Sequence, residues 1–108
     1  MIALSHTTAL LLDHKKGTVR PIEYDGTLDT LKELLGVDLV DAEMLGRKAI
    51  VFFDDEFLDK GYEIGFQILY KKSKIQICGS GLITGDNAGQ NAPLSINHGE
   101  LTINVIKL

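Results

Sequence analysis

The chain has 108 residues, of which 44% are apolar and 24% charged, and its formal net charge is −4. That length fits one domain with a core of its own, and the apolar share excludes an intrinsically disordered chain. The acidic balance argues against a nucleic-acid groove, which needs clustered Lys and Arg, so no nucleic-acid partner is expected.

Ala9 to Leu12 is a run of four apolar residues and predicts a buried strand over Thr7 to Asp13, with a start as early as Ile2 left open. Asp13-His14-Lys15-Lys16-Gly17 reads as a hairpin loop, Asp favouring turn entry and Gly supplying positive φ. The returning strand, Thr18 to Tyr24, contains Pro21, which cannot donate to a ladder and so marks an edge or a bulge. Thr27 is then a good N-cap, with Asp29 in the first turn, a Leu28-Leu31-Leu34-Leu35 stripe and Gly36 to stop the helix.

Val37 to Glu43 and Lys48 to Phe53 predict two strands joined through Gly46-Arg47. An acidic segment follows, with Asp54, Asp55, Glu56 and Asp59 around Phe57 and Leu58. Tyr62 to Tyr70 fits either a strand, through Ile64, Phe66, Ile68 and Tyr70, or a helical face. Lys71 to Lys74 is a solvated connection. Lys74 to Ile83 reads as one long strand broken at Gly79-Ser80-Gly81, feeding an amide-rich loop from Thr84 to Asn91. Leu94 to Ile96 predicts a short strand, Asn97-His98-Gly99 a tight turn, and Leu101 to Ile106 a closing strand. The sum is an α+β domain: a mainly antiparallel, twisted sheet of about six strands with one short amphipathic helix over 27–35, a second short helix within 55–70 staying open.

No segment nears the ~20 apolar residues of a membrane span, and Met1 to His6 shows no basic start or long apolar run. A cytoplasmic protein without a membrane partner is therefore expected. The single cysteine, Cys78, excludes an internal disulfide and a cysteine-based zinc site.

The hairpin, the segment DGTLDTLKELLG, the strand pair ending in VFFDDE and the stretch GSGLITGDNAGQNAPLS together resemble a small domain of unknown function found in phages, plasmids and other mobile elements. The resemblance covers most of the chain and carries no catalytic signature. It implies an accessory protein of a mobile element, of the kind that acts against host defence by masking a host protein or sequestering a signalling nucleotide.

Gly79-Ser80-Gly81 invites a phosphate-loop reading, but Leu82-Ile83-Thr84 continues a strand and no Lys-Ser or Lys-Thr pair follows. A bulge or close-packing site is the expectation. The loop from Thr84 to Asn91 offers the polar groups of Thr84, Asp86, Asn87, Gln90 and Asn91, which suit base edges and ribose hydroxyls. The same composition also serves a solubilising hairpin loop. Adjacent carboxylates diverge, so the acidic segment reads as a solvated strand end rather than a metal site. His6, His14 and His98 lie in predicted loops without a nucleophile at motif spacing.

The reading expected from these residues is a non-enzymatic binder of a small anionic, nucleotide-like ligand, without a cofactor. Its site would combine Ser80, Thr84, Asp86, Asn87, Gln90 and Asn91 with a cation from Arg47, Lys48 or Arg20, because a phosphate needs compensating charge. A homo-oligomer with pockets near its interface is expected. The alternative is an inhibitor that docks on a host defence protein through an edge strand or the acidic segment.

Overall fold

The local signals build the first half of the domain. In the computed structural model, which describes residues 7–95 and 98–108, Thr7–Asp13 (β1) and Thr18–Tyr24 (β2) form an antiparallel hairpin. Asp13 Oδ1 accepts the backbone N–H groups of Lys15 and Lys16, which closes the turn. β2 is an outer strand, so Pro21 removes no needed ladder bond. Thr27 caps the helix Leu28–Leu35 (α1), and Gly36 ends it with φ +68°. Ile2 to His6 lie outside the described residues.

Val40–Leu45 (β3) and Ala49–Asp54 (β4) form the second hairpin. Phe57–Asp59 is a single 3-10 turn, and Ile64–Tyr70 (β5) is a strand. The second helix held open within 55–70 is thus reduced to that turn. Alternation decided it: Phe66, Ile68 and Tyr70 are buried, a spacing of two.

The Gly79-Ser80-Gly81 break is a corner, not a bulge within one strand. Ser73–Cys78 (β6) belongs to one sheet and Gly81–Asn87 (β7) to the other. Gly79 turns the corner at φ +80°, where a Cβ would press into the Tyr62 ring at 2.8 Å. The predicted loop from Thr84 to Asn91 is also mostly strand. β7 runs to Asn87, Ala88 and Gly89 turn with φ +52° and +86°, and Gln90–Ala92 (β8) returns. Two successive positive φ values match the twist of the flanking strands. Leu94 and Ser95 are not strand, Ile96 and Asn97 lie outside the described residues, and Leu101–Lys107 (β9) follows a 3-10 turn over His98–Glu100.

Nine strands are therefore described, where about six were expected, and they form two antiparallel sheets. The larger has the order β2-β1-β7-β4-β3, with β8 continuing beside the far end of β7. The smaller has the order β6-β5-β9. Between the sheets lies one core, built on Leu10, Leu12, Val51, Phe66, Ile68, Ile77 and Ile83. A second core lies between the larger sheet and α1, with Ala9, Leu11 and Leu82 meeting Leu31 and Leu35. An eight-residue helix is stable only when packed this way. Central to everything is β7, held by β1 and β4 on its two edges.

Candidate functional site: a cationic cleft beside the β7–β8 hairpin

Strand pairing assembles the site. Ala49 pairs with Gly85 between β4 and β7, and one step further Asp86 N–H donates to the Lys48 carbonyl at 2.8 Å. The β3–β4 turn carrying Arg47 and Lys48 is thereby fixed beside the β7–β8 hairpin. Gly46, at φ +71°, lets that turn rest on the ring of Tyr70, which a Cβ there would approach to 3.2 Å. Past Tyr70, Lys71 adopts φ +52° and places its Nζ 5.4 Å from the Tyr70 ring centroid.

The result is a cleft of ≈ 440 Å³ lined by Gly46, Arg47, Lys48, Tyr70, Lys71 and Ser95. Small-ligand sites fall in this range. Lys71 shares its charge with Glu100 at 3.8 Å, whereas Arg47 and Lys48 form no ion pair among the described residues. A neighbouring cleft of ≈ 300 Å³ shares Lys48 and Ser95 and adds Asp86, Asn87 and Pro93. The two clefts meet at Lys48 and Ser95, at this end of the domain.

Of the residues named from sequence, Arg47, Lys48, Asp86 and Asn87 come together here. Gln90 lies across the turn from Asn87. Thr84 and Asn91 line another cleft, on the helix-side face, which Asp86 also lines, and there the buried Thr84 hydroxyl donates to Asn91 Oδ1 at 2.8 Å. Ser80 is at the opposite end of β7 and does not join them. Its Oγ accepts the His14 backbone N–H at 3.1 Å and lies 2.7 Å from His14 Nδ1. Arg20 is also at that end, paired with Asp13 at 3.2 Å.

That opposite end is a clasp. The His14 ring meets Tyr62 edge-on at 5.0 Å, and the Tyr62 hydroxyl donates to Asp54 Oδ2 at 2.5 Å. Asp54 is 1% exposed and also accepts the Glu56 N–H and the Lys60 ammonium, at 2.8 and 3.0 Å. Burial opposes its ionisation, but the hydrogen bonds from Tyr62, Lys60 and Glu56 together hold its carboxyl below the usual range. Burial first, and then that same hydrogen bond, push the Tyr62 phenol up.

Tyr70, Lys71 and Ser95 are the lining residues that sequence reasoning missed. The available signal was three cations, Arg47, Lys48 and Lys71, at the tips of two predicted connections in an acidic chain. Among the described residues no helix is long and apolar enough to cross a membrane. No curated protein and no solved structure matches the chain. Residues 7–103 match a domain of unknown function, DUF3846, and since that match spans most of the chain, the protein belongs to the DUF3846 family.

Proposed function

We propose that this domain binds and sequesters a small anionic ligand of the nucleotide type, with the ligand's charged end between Arg47, Lys48 and Lys71. The observation that carries the reading is the cleft's unneutralised charge. Arg47 and Lys48 face one concavity without an ion pair among the described residues, in a protein of net charge −4. Guanidinium, ammonium and the Ser95 hydroxyl are all donors, and a phosphate group consists of acceptors. Capture of this kind asks no bond-making chemistry of the lining. The overall negative charge gives no long-range steering, so local contacts must supply the affinity.

The wider role belongs to the same proposal. The motifs Gly26 to Gly36, Asp54 to Glu56 and Gly79 to Leu94 resemble mobile-element accessory domains, in which sequestration would withhold a nucleotide signal from host defence. The protein would act in the host cytoplasm as a homo-oligomer.

Native mass spectrometry of protein purified gently from producing cells tests this. The expected result is an oligomer retaining a small-molecule mass, released intact on heat denaturation. A released ligand that has been cleaved would replace binding by hydrolysis. Absence of any retained mass, with a host protein co-purifying stoichiometrically, would favour docking instead. For docking the acidic segment offers less than its sequence promises, because Asp54 is turned inward.

A further inference from the structure

Pairing of β4 with β7 leads from an apolar surface to the cations. Ile50 stands opposite Thr84, Ala49 opposite Gly85, and Lys48 comes next beside Asp86, whose N–H donates to the Lys48 carbonyl at 2.8 Å. On the helix-side face a cleft of ≈ 360 Å³ has an apolar floor of Met44, Ile50 and Phe52, and no residue of α1 lines it. Met44 is 46% exposed, so this floor is open to solvent. Asp86 lines that cleft and also the ≈ 300 Å³ cleft that contains Lys48. The way from the floor to the cations therefore passes the Asp86 carboxylate. It is short, because strand rise puts Ile50 and Lys48 about 7 Å apart.

The fold leaves this carboxylate largely unused. Its Oδ2 accepts the Gly89 N–H at 3.4 Å, and Oδ1 has no hydrogen-bond partner among the described residues. Nor does it form an ion pair with Lys48, although backbone pairing sets the two side by side. A carboxylate offers only acceptors and repels a phosphate, so the part of a ligand that lies against Asp86 must be uncharged and must donate. Between the base and the phosphate of a nucleotide that part is the sugar. Ribose carries two neighbouring donors, the 2′ and 3′ hydroxyls, and they project sideways from the line joining base to phosphate. Holding them on Asp86 leaves the base free to lie on the floor and the phosphate free to reach Lys48. A 2′-deoxyribose lacks one of the two donors.

Resting on the proposed capture of a nucleotide-type anion, we infer that the ligand is a ribonucleotide whose sugar hydroxyls are held by Asp86. The base lies flat against Phe52 and Met44, and the phosphate meets Lys48 and, beyond it, Arg47. Apolar floor, carboxylate and cations follow one another in the order of base, ribose and phosphate. The cations attract ribo- and deoxyribonucleotides alike, and discrimination comes from the carboxylate, which loses a donor when the 2′ hydroxyl is missing.

Isothermal titration calorimetry at equal ionic strength, with adenosine and guanosine 5′-monophosphates and their 2′-deoxy counterparts, tests the inference. The wild-type protein is expected to prefer the ribose form of a given base by about tenfold or more, the worth of a charge-assisted hydrogen bond left unmade. Asp86→Ala removes the acceptor and is expected to bring the two sugars within about twofold of each other. Asp86→Asn keeps an oxygen for the Gly89 N–H, and so the hairpin, but not the charge, and it is expected to cut the preference by about threefold or more. Lys48→Ala is expected to weaken both sugars alike and to leave the preference in place. Equal binding of the two sugars by the wild-type protein, or a preference that survives Asp86→Ala, overturns the ribonucleotide inference and leaves anion capture standing. Binding of none of the four at millimolar concentration overturns both.

Discussion

Tyr62→Phe removes one hydroxyl and tests the clasp that joins the two sheets' connections. The phenol donates to Asp54 at 2.5 Å, and Asp54 is 1% exposed, so water cannot readily take the phenol's place. The carboxylate keeps its Glu56 N–H and its Lys60 partner, which limits the damage. A hydrogen bond to a charged group contributes ~1.5–3 kcal/mol, and about 2 kcal/mol is expected here. For a domain of this size that corresponds to a fall in melting temperature of roughly 8–16 °C. The pH dependence gives a second readout. Asp54 titrates below its ordinary range in the folded state, so its contribution is complete above the unfolded value near 3.8 and is lost as pH falls through the folded value. Urea denaturation at several pH values should show the gap between wild type and variant widest near neutrality and narrower below pH ~4. A gap under about 0.5 kcal/mol at pH 7, the range of ordinary surface changes, would refute the clasp.

Three further outcomes are expected. Gly85→Ala drives a Cβ into the Pro93 and Ala92 carbonyl oxygens, which are backbone and cannot step aside; thermal melts should show a loss of about 1–3 kcal/mol. His14 titrates below its ordinary value, through burial and then the neighbouring Lys15, so the unfolded chain takes the proton first. Its neutral form therefore contributes stability that is present above pH ~6.5 and is lost as pH falls below it, and the stability difference between wild type and His14→Gln should shrink from pH 7.5 to 5.5. Arg47→Ala combined with Lys48→Ala removes exposed side chains from turn tips, so folding stability should change by no more than about 0.5 kcal/mol while nucleotide capture falls at least tenfold.

What was legible in the sequence was local. Asp13 and Gly17 bracket the first turn, Pro21 marks an edge, and Thr27 with Gly36 bounds the helix, all of them interactions within a few residues. Ile75, Ile77 and Ile83 all lie in the inter-sheet core, although β6 and β7 belong to different sheets. The sheet switch at Gly79 was not legible, because a glycine pair signals a break without saying where the next strand finds its partners. Thr84 to Asn91 looked like a loop because Gly, Asp and Asn are poor strand formers. Pairing of Gly85 with Ala92 and packing against Pro93 override that preference. The candidate site was half visible. Lys48 and Asp86 lie 38 positions apart in the chain and meet only through β4–β7 pairing. The contact between His14 and Ser80, 66 residues apart, left no trace at motif spacing.

β7 explains why sites and structure separate so cleanly along one strand. Its start is used up by packing: Ser80, just before the strand, is tied to His14, and Gly81, Leu82 and Ile83 are buried. Its last residues, Asp86 and Asn87, emerge beside Lys48, which like Arg47 forms no ion pair among the described residues. The most direct test of anion capture at this end is a two-dimensional amide NMR titration with guanosine 5′-diphosphate. Capture in the cationic cleft predicts saturable shifts at Arg47, Lys48, Lys71, Asp86 and Ser95, with His14 and Ser80 unmoved. Shifts confined to the His14–Ser80 end, or none at millimolar nucleotide, would contradict it.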